Sequence, residues 1–100
     1  MRFILAFNPE FYTDLEHAID WYESQQPGLG NKFFLTVRNK TSRLQSAALN
    51  FAIRYDDIRC LPINKFPYMI HYRIDIEHRL VKIEALFHTS RNPEVWGGRD

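Results

Sequence analysis

Apolar residues recur at intervals of three and four through the first quarter of the chain, at Phe11, Leu15, Ala18, Ile19 and Tyr22. That spacing gathers them on one face of a helix reaching about Gln25. Asn8 suits its N-cap, Pro9 its first turn, and Glu10 complements the positive end of the helix dipole. Ahead of it, Arg2 to Phe7 is apolar but too short for a buried helix, so a strand is predicted there. The segment QQPGLG is a breaker, with Pro27 and Gly28 ending the first helix and Gly30 loosening entry to a second. Phe34, Val37, Thr41, Leu44 and Ala48 then step by three and four along a helix from about Leu29 to Ala48. Lys32, Arg38, Lys40 and Arg43 fill its other positions. So short a connection predicts an antiparallel helical hairpin.

The period then changes. Ile58-Arg59-Cys60-Leu61 is a strand candidate, with Pro62 setting it at an edge or ending its ladder. Tyr68, Ile70, Tyr72 and Ile74 alternate with Met69, His71, Arg73 and Asp75, the pattern of a half-buried strand. After a turn at Ile76-Glu77-His78-Arg79, Val81, Ile83, Ala85 and Phe87 alternate with Lys82, Glu84, Leu86 and His88. The predicted fold is α+β: an N-terminal strand, a two-helix hairpin, then an antiparallel three-strand meander in a curved sheet. The helices cover one sheet face. The other face is expected to carry Met69, His71, Arg73, Lys82, Glu84, Leu86 and His88.

Composition narrows the class without changing this picture. One hundred residues suit a single domain spanning 1–100, and 45% hydrophobic with 25% charged residues is ordinary for a globular chain. A net charge of +1 gives no strong bias towards polyanions. Cys60 is the one cysteine, which excludes an intrachain disulfide framework or a cysteine-based zinc site and fits a reducing cytoplasm. The apolar start MRFILAF is too short for a signal peptide or a membrane span, and neither is expected.

No phosphate loop, HExxH, nucleophile elbow or dinucleotide fingerprint occurs. The candidate chemistry is dispersed. His71 and His88, on adjacent strands, could meet and act as acid and base, or bind a metal with Glu84. The plainer reading makes them partly exposed sheet residues. Arg73, Arg91 and Arg99 could clamp phosphate, although salt links with Asp75, Glu84 or Glu94 account for them more simply. Trp96 could stack on a base, or fold back over a core edge. Asp56-Asp57 suits a turn better than an acidic metal pair. Trp21, on the flank of the hairpin, is a candidate contact residue.

Four motifs occur in one order along the chain: Trp21-Tyr22-Glu23, Pro27-Gly28-Leu29-Gly30, Lys65-Phe66-Pro67-Tyr68 and His88-Thr89-Ser90-Arg91-Asn92-Pro93. Together they resemble the RelE/ParE superfamily of toxins from bacterial type II toxin–antitoxin (plasmid stabilisation) modules. The resemblance implies a helical hairpin on an antiparallel sheet, a cognate antitoxin as partner, and no cofactor or metal. It also implies one of two activities. RelE-like members cleave mRNA on the ribosome with Lys, Arg and Tyr side chains, whereas ParE-like members are regarded as inhibitors of DNA gyrase. The RelE-like pattern wants two lysines where this chain has Cys60 and Pro62, an arginine where it has Met69, and a terminal tyrosine where it has Trp96. Losing most of these groups removes the electrostatic stabilisation that such chemistry needs. The FPY, HxxRxP and PGLG signatures lie closer to the ParE-like side. On that reading Trp21, Arg73, Glu84, Arg91 and Trp96 contact the antitoxin or target. The alternative is an endoribonuclease using His71, His88 and Arg91.

Overall fold

The computed structural model describes residues 2–90. In chain order it contains β1 (Ile4–Phe7), α1 (Pro9–Gln25), α2 (Leu29–Ala47), β2 (Ile53–Tyr55), β3 (Ile58–Pro62), β4 (Tyr68–Asp75) and β5 (Leu80–His88). One turn of 3-10 helix, Ala48–Asn50, follows α2. The elements expected from periodicity all form. The strand β2 is an addition, paired with β3 across a tight turn at Asp56-Asp57, where Asp56 takes a φ of 49°. The sheet order is β1-β5-β4-β3-β2. β2 to β5 form an antiparallel meander, and β1 joins the far side parallel to β5, Ile4 opposite Leu80 and Phe7 opposite Ile83.

Local signals explain the helices. The Asn8 side chain accepts a hydrogen bond from the Glu10 N–H at 2.9 Å, capping α1. At the hairpin turn Gly28 adopts a φ of 89°, a conformation costly for any residue with a Cβ. Glu23 then stitches the turn: its carboxylate accepts from the N–H of Gly28 at 2.9 Å and of Gly30 at 3.0 Å. A Cβ on Gly30 would lie 2.7 Å from the Ile19 carbonyl oxygen, so the close approach of α1 and α2 requires glycine there. The buried stripe of α2 is Gly30, Phe33, Val37, Thr41 and Leu44. It is Phe33, not Phe34, that enters the core, while Phe34 is partly buried under the Arg38 guanidinium.

The main core lies between the hairpin and one face of the sheet, filled by Phe11, Leu15, Phe33, Val37, Leu44, Ile70, Tyr72, Val81, Ile83 and Leu86. The Tyr72 hydroxyl donates to the Ala48 carbonyl at 2.6 Å, tying β4 to the end of α2.

The expected faces of β5 need correction. Opposite β4, the register runs Tyr72 to Ile83 and then His71 to Ala85, so Glu84 is an extra residue, a bulge. Beyond it every side chain changes sides. Leu86 joins the helix-side core, whereas Ala85 and Phe87 pack with Ile58, Cys60 and Met69 on the second face.

Candidate functional site

The described residues of the four sequence motifs converge at one end of the molecule. Tyr22 packs on Phe33 and on Phe66, with ring centroids 4.9 and 5.0 Å apart, and Phe33 meets Phe66 at 4.9 Å and Tyr68 at 5.2 Å. The FPY segment thus docks the β3–β4 connection on the helical hairpin, and the Glu23 carboxylate fixes the PGLG turn beside it. Tyr68 in turn meets His88 edge-on at 5.2 Å. Tyr22, Glu23, Gly28, Gly30, Phe66 and Tyr68 from these motifs thus do structural work.

What stays exposed at this end forms a cleft between α1 and the end of β5. Asp14, His17 and Trp21 line it from the helix, and Tyr68, Leu86, His88 and Ser90 from the sheet, around about 500 Å³. A second hollow of about 370 Å³ shares Trp21, Tyr68 and His88 and adds Tyr22 and Pro67. Trp21 is 56% exposed, its ring standing edge-on to Tyr22 at 5.0 Å. His88 Nδ1 accepts a hydrogen bond from the Ser90 N–H at 3.1 Å and lies 2.7 Å from the Ser90 hydroxyl. In the neutral ring the proton therefore sits on Nε2, which leaves that nitrogen as a donor. Asp14 accepts from the Leu86 N–H at 3.1 Å.

His71 lies elsewhere. It is fully buried on the second sheet face, with Nδ1 2.9 Å from the Tyr55 hydroxyl and 3.6 Å from Cys60 Sγ, and its ring meets Phe87 at 5.0 Å. Burial pushes the Tyr55 phenol up to about 12 and the Cys60 thiol up to about 11, so both are neutral at physiological pH. The expectation that His71 and His88 sit together on one partly exposed face is overturned, because the Glu84 bulge turns His88 to the helix side. Among the described residues no three His, Cys, Asp or Glu side chains gather in a way that could hold a metal ion.

Arg73 and Glu84 do meet, as a pair. Arg73 Nε is 2.8 Å from Glu84 Oε2, but the N–H is not aimed at the oxygen, so the contact is an ion pair without a directed hydrogen bond. The terminal nitrogen Nη1 of Arg73 lies 3.1 Å from Asp57 Oδ1. Two carboxylates thus answer this guanidinium, and Glu84 also accepts from the Asn8 side chain at 3.3 Å. Asp75 pairs with His78 at 2.8 Å instead. Trp21 and the Arg73–Glu84 pair therefore occupy separate places. Arg91, Glu94, Trp96 and Arg99 lie outside the described residues. Spacing alone did not single out Asp14, His17 or Ser90, because their roles depend on how α1 crosses the end of β5.

Comparison with known proteins adds family information. The profile of the family described as ParE toxin of type II toxin–antitoxin system, parDE, matches residues 5–93. Among solved structures, the chromosomal ParDE toxin–antitoxin system from P. aeruginosa superposes with a TM-score of 0.77 at 18% identity, covering 89% of this chain and 98% of that one. The RelBE2 toxin–antitoxin complex from Mycobacterium tuberculosis gives 0.59 at 20% identity, covering 88% and 99%. At these identities the likeness is one of fold. No curated protein matches by sequence. Among the described residues no helix is long and apolar enough to cross a membrane.

Proposed function

The chain belongs to the ParE toxin family of type II toxin–antitoxin systems, and from that membership we propose that it is a growth inhibitor neutralised by a cognate antitoxin. It acts in the cytoplasm by binding its target, with DNA gyrase the leading candidate, and helps to stabilise the replicon that carries the module. One observation supports binding over RNA cleavage. The β3 and β4 positions that would carry basic groups in a RelE-like ribonuclease hold Cys60 and Met69, both buried in the second-face cluster, and Pro62. No charge can approach a scissile phosphate from those positions. Trp21 and the cleft around it offer the contact surface, and Arg73, Glu84, Arg91 and Trp96 remain candidate contacts for antitoxin or target.

The ribonuclease reading keeps one observation in its favour: His88 shares its cleft with His17 and Tyr68, groups able to move protons. Expression without the antitoxin should arrest growth, and co-expression should relieve it. Purified toxin should inhibit gyrase supercoiling, and undiminished supercoiling at excess toxin removes the gyrase assignment. Mapping mRNA ends after induction separates the two readings, since new cleavages in ribosomal A-site codons would establish the ribonuclease instead.

A further inference from the structure

The smaller hollow beside Trp21 is walled almost wholly by rings. Around its roughly 370 Å³ stand Trp21, Tyr22, Tyr68, His88 and Pro67. Neighbouring rings meet edge to face, Trp21 with Tyr22 at 82°, Tyr22 with Tyr68 at 61° and Tyr68 with His88 at 75°. Core packing accounts for Tyr22, which is buried, but not for Trp21, which leaves more than half of its surface in water. An aromatic ring is negative over its face and positive at its edge, so an exposed ring face in a concave setting favours a cation.

Charge points the same way. α1 carries five carboxylates, Glu10, Asp14, Glu16, Asp20 and Glu23, and no lysine or arginine, while α2 carries Lys32, Arg38, Lys40 and Arg43 and no carboxylate. The net charge of +1 therefore hides one acidic and one basic helix, and the hollow opens along the acidic one. Asp14 and Glu23 hold backbone N–H groups, but Glu16 and Asp20 stand exposed one turn apart. Among the described residues lining the two hollows there is no lysine or arginine. A nucleobase could stack on Trp21, yet its phosphate would have to approach this acidic helix with no basic group to meet it. An apolar side chain would gain nothing from the carboxylates. A guanidinium gains from both, because it stacks flat on an aromatic face and is drawn into a negative field.

We propose that the hollow beside Trp21 receives an arginine side chain of a protein partner, stacked on the Trp21 ring within the negative field of α1. This names the chemistry of the partner at the contact surface described above, and it rests on that reading in taking the occupant from a protein. Trp21 then selects a charged group as well as supplying contact area.

The probes are capped tripeptides with glycine on either side of arginine, of its neutral isostere citrulline, or of leucine. Each is titrated into the purified chain without antitoxin and followed by NMR on the Trp21 indole N–H, a signal identified by its loss in Trp21→Phe. The arginine peptide should bind roughly fivefold tighter than the citrulline one, the scale of a cation–π contact at a partly exposed site. Its side-chain methylene protons should move upfield under the ring, and added salt should narrow the preference. Trp21→Leu, read from the peptide's own signals, should erase the preference, and Trp21→Phe should keep part of it. Circular dichroism establishes that each variant is folded. Should Trp21→Leu not fold, the three peptides on the unaltered chain decide alone. Equal binding of the three peptides overturns the proposal and leaves an ordinary apolar hollow. Failure of all three to shift the indole signal overturns it as well. Tighter binding of the dinucleotide uridylyl-adenosine than of the arginine peptide overturns it in favour of nucleic acid. Growth arrest and its relief by antitoxin are measured in cells without these peptides, so the toxin reading and this one can fail separately.

Discussion

Glu23 holds the hairpin turn with one carboxylate shared between two backbone N–H groups, and Gly30 lets the helices close on each other. Both residues belong to motifs that look like recognition elements in the sequence, and both turn out to consolidate a turn. Glu23→Ala should cost about 0.5–1.5 kcal/mol, the net contribution of a typical hydrogen bond where water can reach the freed N–H, as read from urea midpoints. Gly30→Ala should cost about 1–3 kcal/mol by overpacking against the Ile19 carbonyl. At the β4–β5 turn the His78 side chain, and then its N–H, lower the Asp75 pKa below its ordinary 3.8. A depressed carboxylate stabilises the fold above the unfolded value and loses that contribution as pH falls through the folded one. The Asp75 contribution is therefore complete at neutral pH and fades below 3.8. An NMR titration should place Asp75 below 3.8, and His78→Ala should return it upward.

The elements show where the sequence was legible. Strong periodicity and caps located α1, α2, β4 and the start of β5, because each carries several independent signals. β2 escaped, since Ile53-Arg54-Tyr55 is three residues long and its hairpin turn is Asp-Asp, which lacks the glycine signal of tight hairpins. The bulge escaped for a different reason. Ala85, Leu86 and Phe87 are all apolar, so alternation after Glu84 fits either phase, and only pairing with β4 selects one. The inverted half-strand then misplaced His88 and hid the cleft, which is why Trp21 was anticipated and its partners Asp14, His17 and Ser90 were not. Deleting Glu84 should straighten the ladder, setting Ile83 and Ala85 consecutively opposite Tyr72 and His71, so that Ala85, Leu86 and Phe87 keep their faces and unfolding in urea stays cooperative. Tyr72→Phe tests the tie between β4 and the end of α2. It leaves the buried Ala48 carbonyl without its donor and should cost about 1–3 kcal/mol.

At the scale of the molecule, the sheet separates two chemistries. The helix side exposes an aromatic cleft with histidines, and the second side holds Cys60 and Tyr55, both neutral, beside the buried His71. Trp21→Ala should change stability by no more than about 0.5 kcal/mol, as at other exposed positions. The same change should weaken antitoxin or target binding by about 2 kcal/mol or more, the size of an aromatic anchor's contribution, measured by calorimetry. Alkaline pH should test the buried side. Burial raises Cys60 from 9.0 to about 11, and Tyr55 and Tyr72 from 10.0 to about 12. Their contributions are complete below the unfolded values and are lost as pH rises through the folded ones, so stability should fall between about pH 9 and 12. Cys60→Ala should flatten the lower part of that decline.

Asp14 has a bearing on how the protein behaves in a crowded solution. β1 accompanies β5 only as far as Ile83, and beyond that point the chain has already turned into α1. The last stretch of β5, with Leu86 and Phe87, would present an open ladder to any passing strand. The Asp14 carboxylate occupies the Leu86 N–H there and sets a negative charge against a strand that tried to align. Asp14→Ala should thus show itself first as concentration-dependent growth of particle size in light scattering, with little loss of helix. A single carboxylate makes this edge poor ground for aggregation.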